Sequence, residues 1–431
     1  MFRIAFGAAL FISTIRFMLH GWVTDFYTKP VCHFPFTGWA WLQPLPGNCM
    51  YGVYGLMALG ALGICLGCFY RIATVIFFTG FLYAELLDKT YYLNHYYLVT
   101  ICSFLLMLVP AHRYCSLDVW RKPSLRATQV PAWTIWTFQL QLCLVYFFAG
   151  LSKLTGDWLI RAMPLRIWLL AKSSVPVLGP LFKYSGTAWV FSWFGMLFDL
   201  CIPFVLLNRK TSKGGYLVVI LFHVLTALLF QIGMFPYFMI TATLIFLPQR
   251  LHIQLLEKIR SWFTGPSSVP DQPLVMPVPR QRILLYVLAV HFLFQLVIPL
   301  RFLFYPGKLL WTEEGYRFSW RVMLMEKSGT SYFYVTNPAT GRKFQVNNSE
   351  LLTPYQERMM ETQPDIMVQY AHMLAKYYQH KGIDSPTITA ECYVSLNGTG
   401  SQLYIDSTVN LAKDEDNFLK HKNWILPYNE Q

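Results

Sequence analysis

The chain has 431 residues, of which 55% are hydrophobic, 17% are aromatic and only 13% are charged. The charged fraction is roughly half that of an ordinary soluble protein, so the composition excludes a string of soluble domains and indicates an integral membrane protein. The net charge of +13 does not indicate nucleic-acid binding, because the basic residues lie in short loops between apolar runs, where they mark membrane topology.

Apolar runs of about twenty residues, the length that crosses a bilayer, recur from the N-terminus to residue 304. The first run begins at Phe2 and has no small-residue cleavage pattern behind it, so we expect a retained span rather than a signal peptide. About nine spans are predicted, at residues 2–23, 50–69, 71–87, 95–111, 132–151, 187–207, 215–231, 234–249 and 283–304. The segment 152–186 alternates apolar and polar groups, which predicts a helix in the membrane interface.

The positions of Lys and Arg predict the orientation in the membrane. They are concentrated in three loops, at 112–131, 208–214 and 250–282, whereas the opposite loops at 24–49 and 88–94 hold only Lys29 and Lys89. The positive-inside rule therefore predicts a cytoplasmic N-terminus, and nine spans then put the C-terminal part outside. The proline-rich stretch 262–281 is predicted to be a cytoplasmic linker.

The composition changes near Tyr305, where the long apolar runs end. Alternating runs at 332–336, 343–346 and 391–396 predict strands, and 350–381 predicts a helix. The predicted fold class is a polytopic α-helical membrane protein of about nine spans (residues 1–304) with a C-terminal α+β extramembrane domain (residues 305–431).

Ionisable side chains at membrane depth are costly and are therefore candidates for function. Four stand out: His95, Lys153, Asp199 and His223. Under the predicted topology His95 and Lys153 lie on the same side at the same depth, where they can line one pocket that opens toward the C-terminal domain. Two interpretations of Lys153 remain open: its ammonium extends to the membrane interface, or packing keeps the amine dehydrated and makes it a base.

The neighbouring polar residues also have structural interpretations. Asn94 can cap the fourth span, and His223 can form a helix-to-helix hydrogen bond. Asp199 is interpreted as structural, because no charge partner lies near it in the sequence. Cys32 and Cys49 lie in or beside the first exoplasmic loop and could pair in an oxidising compartment. No cysteine spacing predicts a metal site.

Two runs of residues point to a known family: Leu87 to Thr90 followed by Asn94-His95, and Tyr146 to Leu154 followed by Asp157-Trp158. Further matching stretches are Leu59 to Gly63, Phe222-His223, Ile232 to Phe235 and Phe318 to Trp320. In this order, and across nearly the whole chain, they closely resemble vitamin K-dependent gamma-glutamyl carboxylases and their bacterial relatives with the horizontally transferred transmembrane (HTTM) domain.

The resemblance implies a reaction that uses vitamin K hydroquinone (reduced menaquinone or phylloquinone), dioxygen and carbon dioxide. A lysine, here Lys153, deprotonates the hydroquinone, and the anion reacts with dioxygen to give a strongly basic alkoxide. That base removes a γ-proton from a glutamate side chain, carbon dioxide adds to the carbanion, and the quinone leaves as its epoxide. Such a base survives only where water is excluded. The implied partners are membrane lipid, a glutamate-containing protein or peptide substrate, and a quinone reductase.

The resemblance also implies roles for residues around Lys153. Asn94, His95 and His223 resemble residues that hold the glutamate and the intermediates, and Trp320 resembles a tryptophan at the mouth of the site. No metal is implied.

Two positions depart from the family pattern: Lys327 stands where the family has an arginine, and Phe302 stands where it has a histidine. Lys327 is kept as a candidate for substrate binding beside Trp320, and Arg16 is a further candidate for a polar, substrate-binding role near the pocket. Animal carboxylases continue with a further exoplasmic region beyond the stretch that ends here at Pro427. This difference favours a bacterial inner membrane over the endoplasmic reticulum of a eukaryote. It also keeps two alternatives open, a quinol epoxidase without protein carboxylation and a non-catalytic carrier or lipid-binding protein.

Overall fold

The computed structural model describes residues 1–261, 273–274, 276–415, 417 and 419–430. The helices before residue 300 are α1 Phe2–Leu19, α2 Cys49–Leu66, α3 Tyr70–Leu87, α4 Asn94–Leu108, α5 Leu117–Arg121, α6 Trp133–Leu151, α7 Gly156–Leu159, α8 Leu165–Leu170, α9 Ser185–Leu207, α10 Ser212–Leu229, α11 Phe235–Thr243, α12 Gln249–Ser261 and α13 Val278–Val297. The later elements are α14 Leu309–Thr312, β1 Lys327–Thr336, β2 Lys343–Gln345, α15 Pro354–Met360, α16 Pro364–His380, β3 Thr387–Leu396 and β4 Gln402–Leu403.

Seven helices in the described part of the chain are long and apolar enough to cross a membrane: α1, α2, α3, α6, α9, α10, and α13 with its 3₁₀ extension to Phe304. Two shorter apolar helices, α4 and α11 with its extension to Phe246, occupy the two remaining predicted spans. The prediction of a polytopic α-helical membrane protein is therefore confirmed. The segment 152–186 holds α7, α8 and a 3₁₀ turn at Gly179–Lys183, none of them long enough to be a further span.

The predicted loop 250–282 contains a helix that the sequence reading did not anticipate. Helix α12 covers the first part of this loop, because its charged and apolar residues fall on opposite faces of a helical turn. Most of the predicted linker 262–281 lies outside the described residues, and its last residues already belong to α13. The Leu274 N–H donates to the Gln129 carbonyl at 2.9 Å, which attaches this segment to the loop before α6.

Helices α6 and α9 approach each other closely at Gly150. A Cβ added to Gly150 would lie 2.7 Å from Leu200 Cγ and 2.8 Å from the Leu200 backbone nitrogen, so a larger residue would force the helices apart. Small residues allow such close helix packing in membranes. The contact brings the C-terminal end of α6 against the middle of α9.

A chain of polar side chains connects α13 to α6 and α4 inside the bundle. His291 Nε2 lies 2.9 Å from Gln141 Oε1, and Gln141 Nε2 donates to Gln295 Oε1 at 3.1 Å. Gln295 Nε2 then donates to the Tyr97 hydroxyl at 2.8 Å. Because unpaired amides are costly in hydrocarbon, these bonds fix how α13 is rotated against the bundle. Tyr97 stacks on Trp320 at 4.8 Å, so the chain also supports the segment that follows α13.

The C-terminal part contains a four-stranded antiparallel sheet in the order β2-β1-β3-β4, packed against α15 and α16. β1 and β3 pair along their whole length, from Lys327 opposite Leu396 to Thr336 opposite Thr387. The predicted α+β class is confirmed. The predicted helix 350–381 is divided into α15 and α16, because Pro364 occupies the first turn of α16 and cannot continue a preceding helix.

The C-terminal domain shares a core with the adjacent end of the helical bundle. Trp158, Leu165 and Met196 of the bundle belong to the same buried cluster as Trp311 and Phe333 of the domain. The domain is therefore packed onto the bundle rather than tethered to it.

Polar contacts at Asp88 and Lys89 reinforce this docking. Gln356 Nε2 donates to Asp88 Oδ2 at 2.9 Å, and Lys89 Nζ lies 3.3 Å from Asp365 Oδ2. Arg317 also pairs with Asp365. Burial alone would raise the pKa of Asp365, but the Arg317 guanidinium and the Lys89 ammonium hold that pKa below its usual range. The Asp88-Lys89 motif therefore joins the two parts of the protein.

All nine cysteines lie within the described residues and are free. The disulfide considered between Cys32 and Cys49 is therefore not formed. The Cys32 carbonyl instead accepts a hydrogen bond from Gln356 at 2.8 Å, and Cys49 is the first residue of α2.

Candidate active site at one end of the bundle

Lys153 follows the last turn of α6 and points into the protein, with 6% of its surface exposed. Its Nζ donates to Asp199 Oδ2 at 2.8 Å and to the Ala149 carbonyl at 3.2 Å. An ammonium has three N–H donors, and the described residues accept two of them. The interpretation in which Lys153 extends to the membrane interface is therefore wrong.

The indole of Trp158 covers Lys153. Its ring centroid lies 5.3 Å from Lys153 Nζ, within range of a cation–π contact. Trp158 Nε1 donates to the Ser192 carbonyl at 2.8 Å, and the Ser192 hydroxyl donates to the Trp158 carbonyl. This reciprocal pair fixes the indole on α9, so the cover over Lys153 is a rigid part of the bundle.

Lys153, Asp199 and His223 line one cavity of about 100 Å³, which we call the lysine cavity. The Tyr146 hydroxyl lies 2.9 Å from His223 Nε2, whereas His223 Nδ1 is buried and has no hydrogen-bond partner among the described residues. The rest of the lining is mostly apolar and includes Phe191, Phe194, Phe222, Leu225, Phe230 and Phe235. The cavity therefore presents a few polar groups inside an aromatic shell.

His95 lies next to the lysine cavity rather than in its lining. The His95 ring is 5.9 Å from Phe235, and Phe235 is 5.8 Å from His223. The structure thus brings Lys153 and His223 together and places His95 one aromatic ring away.

Asn94 is the first residue of α4, but its side chain does not cap that helix. Asn94 Oδ1 accepts from the Tyr92 hydroxyl at 3.0 Å, and Asn94 Nδ2 donates to the Arg321 carbonyl at 2.8 Å. Asn94 therefore holds the chain of the C-terminal domain where it passes the site.

The segment held by Asn94 has an unusual backbone. Phe318, Trp320 and Met323 have φ angles of 60°, 58° and 56°, in the left-handed region that non-glycine residues rarely adopt. Such conformations persist where the surroundings impose them, and they concentrate at functional sites. Trp320 is 1% exposed and stacks on Tyr97, and it is not among the residues that line the lysine cavity.

Lys327 lies inside the C-terminal domain, away from the lysine cavity. Its Nζ bonds to Glu313 Oε1 at 2.8 Å, to the Tyr404 hydroxyl at 2.9 Å and to the Trp311 carbonyl at 2.9 Å. Burial lowers the pKa of Lys327, and the Glu313 carboxylate opposes that shift. All three N–H donors of this ammonium have partners.

Arg16 is also outside the lysine cavity. Its guanidinium lies 4.8 Å from the ring centroid of Trp22, near the end of α1. Phe302, which stands where a histidine was expected, lines a different and larger cavity.

This second cavity has a volume of about 560 Å³ and lies next to residues 152–154; we call it the outer cavity. Ser152 and Leu154 line the outer cavity, whereas Lys153 between them lines the lysine cavity. The remaining lining comes from the end of α6, the segment around α7, the turn after α13 and the C-terminal domain, and includes Asp157, Arg161, Phe302, Lys308, Ser319, Arg321 and Glu430. The two cavities therefore adjoin along residues 152–154.

Sequence reasoning singled out Asp199 but missed its pairing with Lys153. The two residues are 46 positions apart, so proximity in the sequence gave no signal. The rule that an ionisable group inside a span needs a partner could have suggested the pair. Trp158 belongs to a motif that carries the family resemblance, but the sequence predicts no role for it. The sequence likewise gives no signal for Arg321. Among the described residues, no cluster of three or more His, Cys, Asp or Glu side chains could hold a metal ion.

Comparison with known proteins identifies two family regions in the chain. Residues 1–250 match the HTTM domain, and residues 280–431 match the vitamin K-dependent gamma-carboxylase, lumenal domain. No solved structure matches the chain. The first match covers more than half of the 431 residues, and the second follows it in the chain. The protein therefore belongs to the vitamin K-dependent gamma-carboxylase family.

Proposed function

We propose that this protein is a membrane carboxylase that couples the epoxidation of vitamin K hydroquinone by dioxygen to the carboxylation of glutamate with carbon dioxide, with Lys153 as the base. The observation that supports this most strongly is the buried contact between Lys153 and Asp199 at the wall of an apolar cavity. Membership of the family supports the use of vitamin K hydroquinone.

The lining of the lysine cavity fits the ring of a hydroquinone. The aromatic side chains suit an apolar ring system. Lys153 Nζ, and His223 Nδ1, which has no partner among the described residues, could bond to its hydroxyl groups. Phe194 lines the cavity and is 48% exposed on the outside of the bundle, so this wall faces the lipid from which a quinone would enter. When bound, the hydroquinone supplies, together with dioxygen, the strong base that removes a glutamate γ-proton.

Asp199 lets Lys153 act as a base in spite of its burial. A proton that moves from Nζ to Oδ2 across this 2.8 Å contact leaves a neutral amine beside a neutral carboxylic acid, so no separate charge has to be buried. The amine then takes a proton from its substrate and becomes an ammonium, while Asp199 keeps the first proton and its carbonyl oxygen accepts a hydrogen bond from the ammonium. The new positive charge is balanced by the anion of the deprotonated substrate. This exchange needs no water in the site.

The surrounding residues orient groups and exclude water. Trp158 closes the site above the amine, which protects a strong base from quenching. A Tyr146 hydroxyl that donates to His223 Nε2 leaves the ring proton on Nδ1, which has no acceptor among the described residues and could donate to a ligand. His95 and Asn94 are the two further polar residues of the proposed site. His95 packs against Phe235, which lines the lysine cavity, and Asn94 holds the backbone of Arg321.

The proposed setting is a membrane with the C-terminal domain on the exoplasmic side. The distribution of basic loops supports this orientation, and so does the match to a domain described as lumenal. We propose the bacterial inner membrane, or the endoplasmic reticulum if the source is a eukaryote. The proposed partners are a glutamate-containing protein or peptide and a quinone reductase that regenerates the hydroquinone.

The proposal is tested with purified protein in detergent, reduced vitamin K, labelled bicarbonate and a glutamate-containing peptide. Formation of the epoxide and fixation of the label are followed together. The proposal predicts both products. Epoxide without fixed label would instead identify a quinol epoxidase, and the absence of both products would favour a carrier or lipid-binding protein.

A further inference from the structure

Arg321 is a buried cation at the wall of the outer cavity. It is 8% exposed, and its guanidinium carbon lies 4.3 Å from the ring centroid of Phe302. Arg321 Nε is buried and has no hydrogen-bond partner among the described residues. Burial lowers the pKa of Arg321 to about 10, which still leaves the guanidinium charged at neutral pH.

Other cations at the outer cavity differ from Arg321, because they have carboxylate partners. Lys308 Nζ lies 3.1 Å from Asp157 and 3.6 Å from Glu430, and Arg161 lies 3.7 Å from Asp157. No ion pair of Arg321 is present within the described residues. A charge of this kind is costly to bury unless a partner arrives.

A guanidinium suits a carboxylate, because its N–H groups form a planar fork that matches two oxygens. The cavity is large enough for an acidic side chain, and Ser319 adds a small polar residue beside Arg321. The chemistry of the wall therefore favours a carboxylate as ligand.

The position of Arg321 relates the outer cavity to Lys153. Arg321 lines the outer cavity, whereas the next two residues, Val322 and Met323, line the lysine cavity. Likewise, Ser152 lines the outer cavity and the next residue, Lys153, lines the lysine cavity. A ligand at Arg321 would therefore lie against the wall that also bounds the lysine cavity.

We infer that Arg321 binds a planar carboxylate-type anion in the outer cavity, either the glutamate side chain of a peptide or bicarbonate, the hydrated form of the carbon dioxide that the proposed reaction uses. The identity of these two ligands rests on the proposed function. For a glutamate, the contact would fix the methylene next to the carboxylate. It would also offset the negative charge that opposes removal of a proton from that methylene.

The test measures equilibrium binding to the purified full-length protein in detergent, without quinol. The probes are two fluorescent peptides that differ only by Glu or Gln at one position, and labelled bicarbonate. The variants are Arg321→Met and Arg321→Lys, and the matched control is Arg342→Met, which removes an exposed arginine from the loop between β1 and β2. Melting curves establish that each variant is folded.

We expect Arg321→Met to weaken binding of the Glu peptide by at least about tenfold, as the loss of a buried charged contact does. The Gln peptide is expected to bind the wild type and Arg321→Met equally weakly. Arg321→Lys should fall between the wild type and Arg321→Met, because it keeps the charge but loses the fork. Arg342→Met should bind as the wild type does.

The other outcomes are equally decisive. Loss of bicarbonate binding alone in Arg321→Met would identify bicarbonate as the ligand. Unchanged binding of both ligands in a folded Arg321→Met protein would overturn the inference. If Arg321→Met does not fold, the wild type alone decides. Equal binding of the Glu and Gln peptides and no binding of bicarbonate would then overturn the inference. Because binding needs no turnover, Arg321-dependent binding without epoxide formation would contradict the proposed function and leave this inference standing.

Discussion

Two buried lysine–carboxylate pairs in this protein have the same distance between nitrogen and oxygen but lie in different surroundings. Lys153 and Asp199 lie 2.8 Å apart at the end of the bundle, and Lys327 and Glu313 lie 2.8 Å apart in the C-terminal domain. Tyr404 is one of two further acceptors that complete the bonds of Lys327, whereas Lys153 lines a cavity and has one donor without an acceptor in the described part of the chain. Burial and pairing are common to both lysines, so they do not by themselves support the proposed role of Lys153 as the base. Access to a cavity and an unused donor distinguish the two sites.

The largest expected effect is on activity in Lys153→Met. Without the amine, epoxide formation should fall by about 10²- to 10⁴-fold, the usual contribution of a positioned base. Asp199 would remain buried without a cation, but it can take up a proton and become neutral. Epoxide is measured per mole of protein that elutes as a single folded species. A folded Lys153→Met protein with wild-type turnover would remove the distinction between the two lysines.

Lys327→Met is expected to show the opposite behaviour. Removal of one partner of a buried ion pair destabilises a protein by about 3–5 kcal/mol, because the other charge is left unpaired. The melting temperature should therefore fall, while epoxide formation per folded molecule stays near the wild-type level. The double variant Lys327→Met with Glu313→Leu should recover part of the lost stability. A folded Lys327→Met protein without activity would show that this pair also serves the reaction.

The variant Asp199→Asn tests whether Asp199 only forms a hydrogen bond with Lys153 or also exchanges a proton with it. The amide can still accept a hydrogen bond from Lys153 but cannot hold the proton, so turnover should fall by about ten- to a hundredfold. Substrate binding should change little. The ratio kcat/KM for the hydroquinone is measured beside kcat, and a change in KM alone would assign Asp199 a purely structural part.

Tyr146→Phe should have a smaller effect at the same cavity. The change removes the hydroxyl that bonds His223 Nε2 and leaves the aromatic ring in place. We expect a loss of a few-fold in turnover, because one neutral hydrogen bond contributes about 1 kcal/mol. Tyr332→Phe, on an exposed side chain of β1, is the matched control. Equal rates in both variants would show that this bond does not orient His223.

The smallest expected effect concerns Asp365, a partly exposed carboxylate whose pairing is structural. Because the pKa of Asp365 is lowered in the folded state, its contribution to stability is present above the usual carboxyl pKa of about 4 and is lost as the pH falls below it. Asp365→Asn should flatten the decrease in melting temperature below about pH 4. An identical acid profile in wild type and variant would mean that the pairs with Lys89 and Arg317 add little.

The spans and the fold class could be predicted from the sequence, because a bilayer imposes a fixed length of apolar residues. Helix α12 was missed, since its charged residues made the segment look like a loop. The break between α15 and α16 was also missed, although Pro364 was a visible signal. Both errors lie outside the hydrophobic spans, where sequence patterns are less constrained.

The candidate site was only partly predictable. Lys153 and His223 stood out as polar groups at membrane depth, and the structure places both at one cavity. The pairing with Asp199 depends on the close approach of α6 and α9 at Gly150, which is a property of tertiary packing. The sequence could identify the groups that need partners, but the packing of the helices determined which groups meet.

The most direct test of the central claim is whether a soluble amine can replace the side chain of Lys153. The Lys153→Ala protein is assayed for epoxide formation with increasing methylamine or ethylamine, beside the Lys327→Ala protein under the same conditions. We predict that turnover of Lys153→Ala rises with amine concentration, because a small amine can occupy the enlarged lysine cavity, and that Lys327→Ala does not respond. A folded Lys153→Ala protein that retains full turnover without any amine would contradict the assignment of Lys153 as the base.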